Sequence, residues 1–134
     1  MNKVKIILII ILLIIINTKS YSKEKIFIVY NINNELITNV DIKKESVYLT
    51  ALNDQLKNLD EKIVLDIAKE SIVRETIKRI ELSKYFDLDK PTAITDDYIK
   101  SFYLRLNLKD EKEFNKYLQS YGLSNSYIRK KIQK

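Results

Sequence analysis

The stretch from Asp60 to Phe86 constrains this chain most, because no Gly or Pro interrupts it. Asp60 is a favourable helix N-cap, and the only proline, Pro91, follows after the stretch has ended. About 27 residues rising 1.5 Å each give a helix of roughly 40 Å, which is longer than a small domain is wide. We therefore predict one long helix from Asp60 to Phe86.

The apolar residues of this long helix change sides along its length. One half of the helical wheel carries Ile63, Val64, Leu65, Ile67, Ala68 and Ile72, the other half carries Val73, Ile77 and Ile80, and Leu82 and Phe86 return to the first. A helix with apolar groups on successive sides needs different partners along its length. We expect a central helix wrapped by shorter ones, and an ordinary surface helix is the alternative.

A short β-hairpin is predicted before the helices. The residues of Ile26–Ile32 are β-prone, and in a strand Ile26, Ile28, Tyr30 and Ile32 would lie on one side and Phe27, Val29 and Asn31 on the other. Asn33 and Asn34 tolerate the positive φ that a two-residue hairpin turn requires, and Glu35–Ile37 forms the return strand. Such a hairpin is marginal alone and must pack on the helices.

Shorter helices are predicted on both sides of the long one. Thr38 begins a helix that extends to about Lys57, and Thr95, Asp110 and Ser124 are the N-caps of three more. Gly122, the only glycine, occupies the C′ position expected after a helix. With so little Gly and Pro for tight turns, the sequence predicts a mainly α fold: a small helical bundle around one long central helix, with a short N-terminal β-hairpin.

The amino terminus has the layout of a secretory signal peptide. Met1–Lys5 is basic, Ile6–Ile16 is an unbroken aliphatic run, and small residues at Ser20 and Ser22 follow. Eleven helical residues reach about 16 Å, whereas a bilayer core needs roughly 30 Å. We predict a signal peptide over residues 1–22, cleavage after Ser22, and an exported, soluble, periplasmic chain of residues 23–134; an uncleaved membrane anchor is the alternative.

The composition excludes several kinds of chemistry. The chain has no Cys and no His, which excludes disulfides, thiol catalysis, His-based acid–base catalysis and the usual zinc sites. It has no glycine-rich phosphate loop, and acidic pairs such as Asp96 and Asp97 are typical of helix caps. We therefore predict no catalytic, cofactor-binding or metal-binding residues.

The net charge of +6 does not indicate a nucleic-acid-binding protein. Loss of Lys3, Lys5 and Lys19 with the signal peptide leaves 21 basic and 18 acidic residues, a net charge of +3. The remaining basic residues alternate with acidic ones, as on a solvated helix surface, and do not form a basic face. We expect no nucleic-acid partner, and contact with a membrane only through the signal peptide.

The order of these features resembles one family. The segment Asn33–Ile42 reads NNELITNVDI, and later come ITDD at Ile94–Asp97, YGL at Tyr121–Leu123 and YIRK at Tyr127–Lys130. With the signal peptide, the strand and the long helix, this set is similar to the N-terminal domain of SurA-type periplasmic chaperones, from Ile26 to Lys134. No single motif is diagnostic; the ordered set carries the resemblance.

The resemblance implies a chaperone that escorts unfolded outer-membrane β-barrel precursors through the periplasm. In that family, parvulin-type peptidyl-prolyl isomerase modules follow this domain, and a C-terminal segment packs back on it. The residues up to Lys134 contain no such module, so we expect no isomerase activity from them. Without that C-terminal segment an apolar groove would be uncovered, and we expect that a partner or a second copy fills it, or that the chain is a truncated gene product.

A chaperone of this kind needs apolar and aromatic surface that meets extended polypeptide. Most tyrosines lie on predicted helix faces with other apolar residues, where packing is the ordinary role. The candidate contacts with a client polypeptide are Tyr98, Phe102, Tyr117 and Tyr121. Two alternatives stay open: the N-terminal part of a longer peptidyl-prolyl cis–trans isomerase, and a membrane-anchored helical interaction protein.

Overall fold

A two-stranded antiparallel hairpin precedes five α-helices in the computed structural model, which describes residues 25–88, 90 and 94–133. The mainly helical fold with an N-terminal hairpin is therefore confirmed. The predicted signal peptide, residues 1–22 with its cleavage site after Ser22, lies outside the described residues. The elements are β1 (Ile28–Ile32), β2 (Glu35–Thr38), α1 (Asn39–Leu52), a 3₁₀ helix (Asp54–Asn58), α2 (Glu61–Ser83), α3 (Ile94–Arg105), α4 (Glu111–Ser120) and α5 (Asn125–Ile132).

The hairpin turn is formed by Asn33 and Asn34, as predicted. Their φ angles are +48° and +68°, and positive φ at both central residues is the condition for the two-residue turn that matches strand twist. Beyond the turn, Ile37 on β2 is buried against α1 and α2, together with Ile42 and Ala68. The marginal hairpin is thus held by the helices.

Side-chain caps begin four of the helices where the sequence predicts them. At Thr38 the cap is reciprocal: its hydroxyl accepts from the Asp41 N–H at 3.2 Å, and the Asp41 carboxylate accepts from the Thr38 N–H at 2.8 Å. Asp60, Asp110 and Ser124 likewise accept backbone N–H groups of the first turns of α2, α4 and α5. Each cap satisfies a donor that the helix leaves unpaired.

Two helices end in a left-handed residue. After α4, Gly122 has φ +68°, and the N–H groups of Gly122 and Leu123 donate at 2.9 Å to the carbonyls of Gln119 and Leu118. This is the Schellman arrangement, so the predicted role of Gly122 is confirmed. Asn107 takes the same position after α3 with φ +55°, a second stop that the sequence analysis did not identify.

Several predicted boundaries are wrong. The long helix ends at Ser83 and not at Phe86, and β1 begins at Ile28 and not at Ile26. Thr95 is not an N-cap, because α3 has already begun at Ile94 and Thr95 is buried within the first turn. The helix from Thr38 does not extend to Lys57, because α1 ends at Leu52. There the Asn53 backbone is extended, and its side chain accepts the Gln55 N–H at 3.1 Å, which starts the 3₁₀ helix instead.

The long helix α2 is buried along one side. Its buried residues are Val64, Ala68 and Thr76, which recur at multiples of four, and its main neighbour is α1. Ile63 and Ile77 stay about half exposed. Of the residues expected on the other half of the wheel, Val73 packs against the cluster of Ile37, Ile42 and Ala68, whereas Ile77 is exposed. The second side of α2 is therefore covered at Val73 and open at Ile77.

The core has two parts that meet at α1. The first part joins the hairpin, α1 and α2 around Ile37, Ile42 and Ala68. The second joins the end of α1 to the last three helices, and its buried members are Ala51, Ile99, Phe114, Leu118, Leu123 and Ile128. Since α1 contributes to both, its position decides how the two parts fit together.

A buried ionic cluster lies between these two parts. Glu45 on α1, which is 1% exposed, accepts a hydrogen bond from the Ser71 hydroxyl of α2 at 2.8 Å and one from the Lys131 ammonium of α5. Lys131 also donates to Glu75 on α2 and lies 4.8 Å from the ring centroid of Tyr48. The cluster therefore joins three helices, and each of its buried charges has a partner.

Burial and charge shift the titration of this cluster. Burial alone would lower the pKa of Lys131, but its hydrogen bonds to Glu45 and Glu75 and their negative charges raise it. Burial raises the pKa of Tyr48 by more than Lys131 lowers it. Burial, together with the charges of Glu45 and Glu75, raises the pKa of Tyr127 to about 12.

Replacing Lys131 by Met should destabilise the fold strongly. The change leaves Glu45 as a buried carboxylate without its cation, and removing one partner of a buried ion pair costs about 3–5 kcal/mol. We expect the free energy of unfolding, measured by urea denaturation, to fall by about 3 kcal/mol. The control Lys130→Met changes an exposed neighbour and should cost under about 0.5 kcal/mol. Equal stability of the two variants would contradict the role given to the cluster.

Stability should fall between about pH 10 and pH 12. Tyr48, Tyr127 and Lys131 all have raised pKa values in the folded protein, so the unfolded chain releases their protons first and gains stability as the pH rises. This loss of stability is absent below about pH 10, because the folded and unfolded chains both keep these protons there. For Tyr127, whose ring is partly exposed and screened by solvent, we expect a contribution on the order of 1 kcal/mol. Urea denaturation at stepped pH should show a shallower decline for Tyr127→Phe than for the unchanged protein, and identical slopes would contradict this assignment.

Candidate polypeptide-binding surface

Large apolar side chains are exposed on several elements of the described chain. Ile26, Phe27 and Ile28 at the start of the hairpin are each more than half exposed. The other exposed members are Tyr30, Leu36, Val40, Leu59, Ile63, Ile77, Tyr85, Phe86, Ile94, Tyr98 and Leu104. Scattered apolar residues are common on protein surfaces, so the informative ones are those that cluster.

One such cluster lines an open hollow of about 310 Å³ between α1, the 3₁₀ helix and the start of α2. We call this cavity the α1–α2 hollow. Its apolar wall consists of Val47, Leu56, Leu59, Val64 and Tyr121. The polar residues Ser46, Thr50, Lys57 and Glu61 also line it. An apolar wall with polar neighbours and this volume suits one or two apolar side chains of a bound chain.

The turn between α1 and the 3₁₀ helix gives the hollow its shape. Because Asn53 ends α1, the chain bends there, and Leu56 and Leu59 come to face Val64 across the hollow. Asp60 then caps α2 and starts the opposite wall. A continuous helix to Lys57 would not bring these side chains together, so the local backbone preference of Asn53 builds the hollow.

Tyr117, a predicted client contact, has a structural role. Its hydroxyl donates to the carbonyl of Ala51 at 2.8 Å and accepts from the Lys57 ammonium at 3.0 Å, and its ring packs against the second core. Burial raises the pKa of this hydroxyl. The pKa of Lys57 is also raised, mainly by its hydrogen bond to Asp54 and then by the one to Tyr117. Tyr117 therefore connects α4 to the end of α1 and to the 3₁₀ helix.

The other three predicted contacts are placed differently. Tyr121 lies beside Tyr117, with ring centroids 5.2 Å apart, and it reaches the α1–α2 hollow. Phe102 packs against the second core beneath Arg105, whose guanidinium is 4.9 Å from the ring centroid. Tyr98 on α3 is half exposed. The structure thus pairs Tyr117 with Tyr121, while Tyr98 and Phe102 lie on another helix.

Sequence reasoning missed the hollow and the exposed start of the hairpin. A continuous helix to about Lys57 would contain Leu56, whereas the break at Asn53 places Leu56 in the 3₁₀ helix and Leu59 after it. For the hairpin the signal was present: Ile26–Tyr30 has no polar residue on either side of the strand, whereas a strand with one solvated face alternates apolar and polar residues.

Residues 25–88, 90 and 94–133 contain no group of three or more acidic side chains arranged to hold a metal ion. In that same part of the chain, no helix combines the length and the apolar character needed to cross a membrane.

Comparison of the chain with protein-family models, with curated proteins and with solved structures finds no match.

Replacing Tyr117 by Phe should lower stability. The variant removes the hydroxyl that satisfies the buried carbonyl of Ala51, and an unpaired buried acceptor costs about 1–3 kcal/mol. Thermal and urea denaturation should show a loss of about 1.5 kcal/mol. The control Tyr98→Phe alters a half-exposed residue and should stay within about 0.5 kcal/mol of the parent. Similar losses in both variants would show that the Tyr117 hydroxyl has no special role.

Proposed function

We propose that this chain is an exported, periplasmic chaperone-type domain that binds unfolded outer-membrane protein precursors through apolar and aromatic surface. The observation that carries the proposal is the α1–α2 hollow, which is open to solvent and is lined by exposed Leu59, by half-buried Val47, Leu56 and Tyr121, and by buried Val64. Extended polypeptides present apolar side chains at regular intervals, and such a hollow receives them without any chemical step. Binding through burial of apolar surface also tolerates many sequences, as a holding chaperone requires.

Several features of the sequence support this function. The order of signal peptide, hairpin, capped helix and long helix resembles the N-terminal domain of SurA-type chaperones. The hairpin follows from its turn residues, and the two helices begin at side-chain caps. The charged residues that alternate over the surface keep an apolar binding protein soluble. In this proposal the partner is unfolded polypeptide, neither nucleic acid nor metal takes part, and the domain itself performs no catalysis.

Two alternatives follow from the same residues. The domain could precede parvulin-type isomerase modules in a longer protein, which the reading frame beyond Lys134 would reveal. It could also be held at the membrane by Ile6–Ile16, if the signal peptide is retained. Mass spectrometry of protein recovered from exporting cells separates this case, because cleavage after Ser22 removes about 2.5 kDa. An intact mass would contradict the periplasmic proposal.

The proposed function predicts that the domain suppresses aggregation of an unfolded client. An outer-membrane β-barrel protein diluted from urea should scatter less light when the domain is present in stoichiometric excess. Leu59→Lys places a charge on the wall of the hollow at a residue that is 43% exposed, and it should weaken suppression at least fivefold. The reason is that an incoming apolar side chain would have to desolvate the ammonium group.

A matched variant tests whether the hollow is the site. Leu104→Lys makes the same change at an exposed leucine of α3, away from the hollow, and should leave suppression unchanged. The proposal that clients bind in the hollow would be contradicted if the unchanged domain has no effect on aggregation, or if Leu59→Lys and Leu104→Lys act equally.

A further inference from the structure

The residues just before β1, Lys25–Phe27, are held beside the hairpin by hydrogen bonds to one residue of α1, Asn39. The Asn39 N–H donates to the Phe27 carbonyl at 3.1 Å, and the Phe27 N–H donates to the Asn39 side-chain oxygen at 3.0 Å. The Asn39 amide nitrogen donates to the Lys25 carbonyl at 3.1 Å. The carbonyl of Lys25 and both main-chain groups of Phe27 therefore face Asn39, and these bonds continue the hairpin pairing beyond the end of the ladder with β2.

The neighbouring residues turn their main-chain groups the other way. Consecutive residues of an extended strand direct their N–H and C=O groups to opposite edges, so those of Ile26 and Ile28 face away from β2. The register agrees, because Ile28 lies opposite Thr38, one step from the hydrogen-bonded pair of Phe27 and Asn39. In the described chain the sheet has two strands only, so this edge has no neighbouring strand.

We propose that this edge of β1 pairs with the same edge of a second copy of the chain, with the two strands antiparallel about a two-fold axis at Phe27. In this register Ile26 of one copy exchanges two N–H···O bonds with Ile28 of the second copy, and the reverse pair exchanges two more. The register shift between Ile28 and Tyr30 interrupts the strand, so longer registers are not available.

The side chains suit this pairing. Phe27 meets Phe27 of the second copy across a non-hydrogen-bonded position, where side chains are closest and aromatic pairs stabilise a sheet. Ile26 and Ile28 lie together on the opposite face, and these three residues are 67%, 56% and 58% exposed in chain order. The pairing therefore covers apolar surface on both faces of the strand.

The charges also suit a second copy. Lys25 is the only charged residue from Lys25 to Ile32, and in this register it lies opposite Val29 of the second copy, so no like charges meet. Natural edge strands are usually protected by inward-facing charges or proline, and Ile26–Ile28 has neither. A foreign polypeptide would gain the main-chain bonds but not the matched pair of phenylalanines at the axis.

The size of the contact sets its strength. A standard stable interface buries about 800 Å² on each partner, which is more than three residues of one strand can supply. We therefore expect a weak dimer that exchanges with monomer, with a dissociation constant between about 1 μM and 1 mM.

Single cysteines test the register, because the chain has none of its own. In protein recovered after export, Phe27→Cys places two thiols opposite each other at the axis, close to the separation that a disulfide needs. Mild oxidation should link Phe27→Cys into dimers at least tenfold faster than Leu36→Cys, an equally exposed position on β2. Ile28→Cys should also be slow, because its opposite residue is Ile26. Equal rates at all three positions would overturn the proposal.

Sizing by sedimentation or light scattering tests the dimer without a disulfide. The unchanged protein should form more dimer as its concentration rises towards about 1 mM. Phe27→Lys, which opposes two positive charges, and Ile28→Pro, which removes an N–H that faces the open edge, should both stay monomeric with an unchanged helical circular dichroism spectrum. Ile77→Lys, an exposed change on α2, should dimerise like the parent.

Other results would overturn the pairing with a second copy. One is a protein that stays monomeric at about 1 mM. Another is loss of client holding in Phe27→Lys while the unchanged protein is monomeric, which would assign the edge to the polypeptide. Failure of the proposed chaperone function is separate, since Leu59→Lys reports it at a different surface.

Discussion

The hydrogen-bonded ion cluster of Glu45, Lys131 and Glu75 is the interaction on which the arrangement of this fold depends. The two parts of the apolar core could slide past each other, since burial of apolar surface has no direction. The cluster removes that freedom, because its buried carboxylate is satisfied when α5 places Lys131 against both α1 and α2. Its value is therefore in the specificity of packing, while the apolar residues supply most of the stability.

Fixing that packing also determines which side chains remain for binding. The Tyr117 hydroxyl is hydrogen-bonded to the carbonyl of Ala51 and to the ammonium of Lys57, and Phe102 packs against the second core, so both side chains support the fold. The break at Asn53 instead leaves Leu56, Leu59 and Tyr121 around an open hollow. Asn39 holds the residues just before β1, and among the described residues no other strand pairs with the main-chain groups of Ile26 and Ile28 at the sheet edge. Two distinct apolar surfaces result, one suited to the side chains of a client and one to another strand.

The features that the sequence predicted are local ones. Each of these features depends on residues within five positions along the chain, so it could be predicted from the sequence. They are the turn at Asn33 and Asn34, the caps at Thr38, Asp60, Asp110 and Ser124, and the stop at Gly122. Which side of α2 stays exposed could not be predicted from the sequence, because it depends on where α1 packs. The contact of Lys131 with Glu45 spans 86 residues. A signal for Glu45 did exist: it lies between Ile42 and Leu49 at helical spacing, within the apolar stripe of α1.

In the proposed function, an unfolded polypeptide is held in the α1–α2 hollow. Hydrogen exchange followed by mass spectrometry, with and without a saturating unfolded outer-membrane protein, tests it most directly. We predict that the client slows exchange in the segments that line the hollow, residues 53–64 and 119–123, and leaves the middle of α3 unchanged. Exchange that is the same in the hollow with and without the client, or slowed in α3 alone, would contradict the claim.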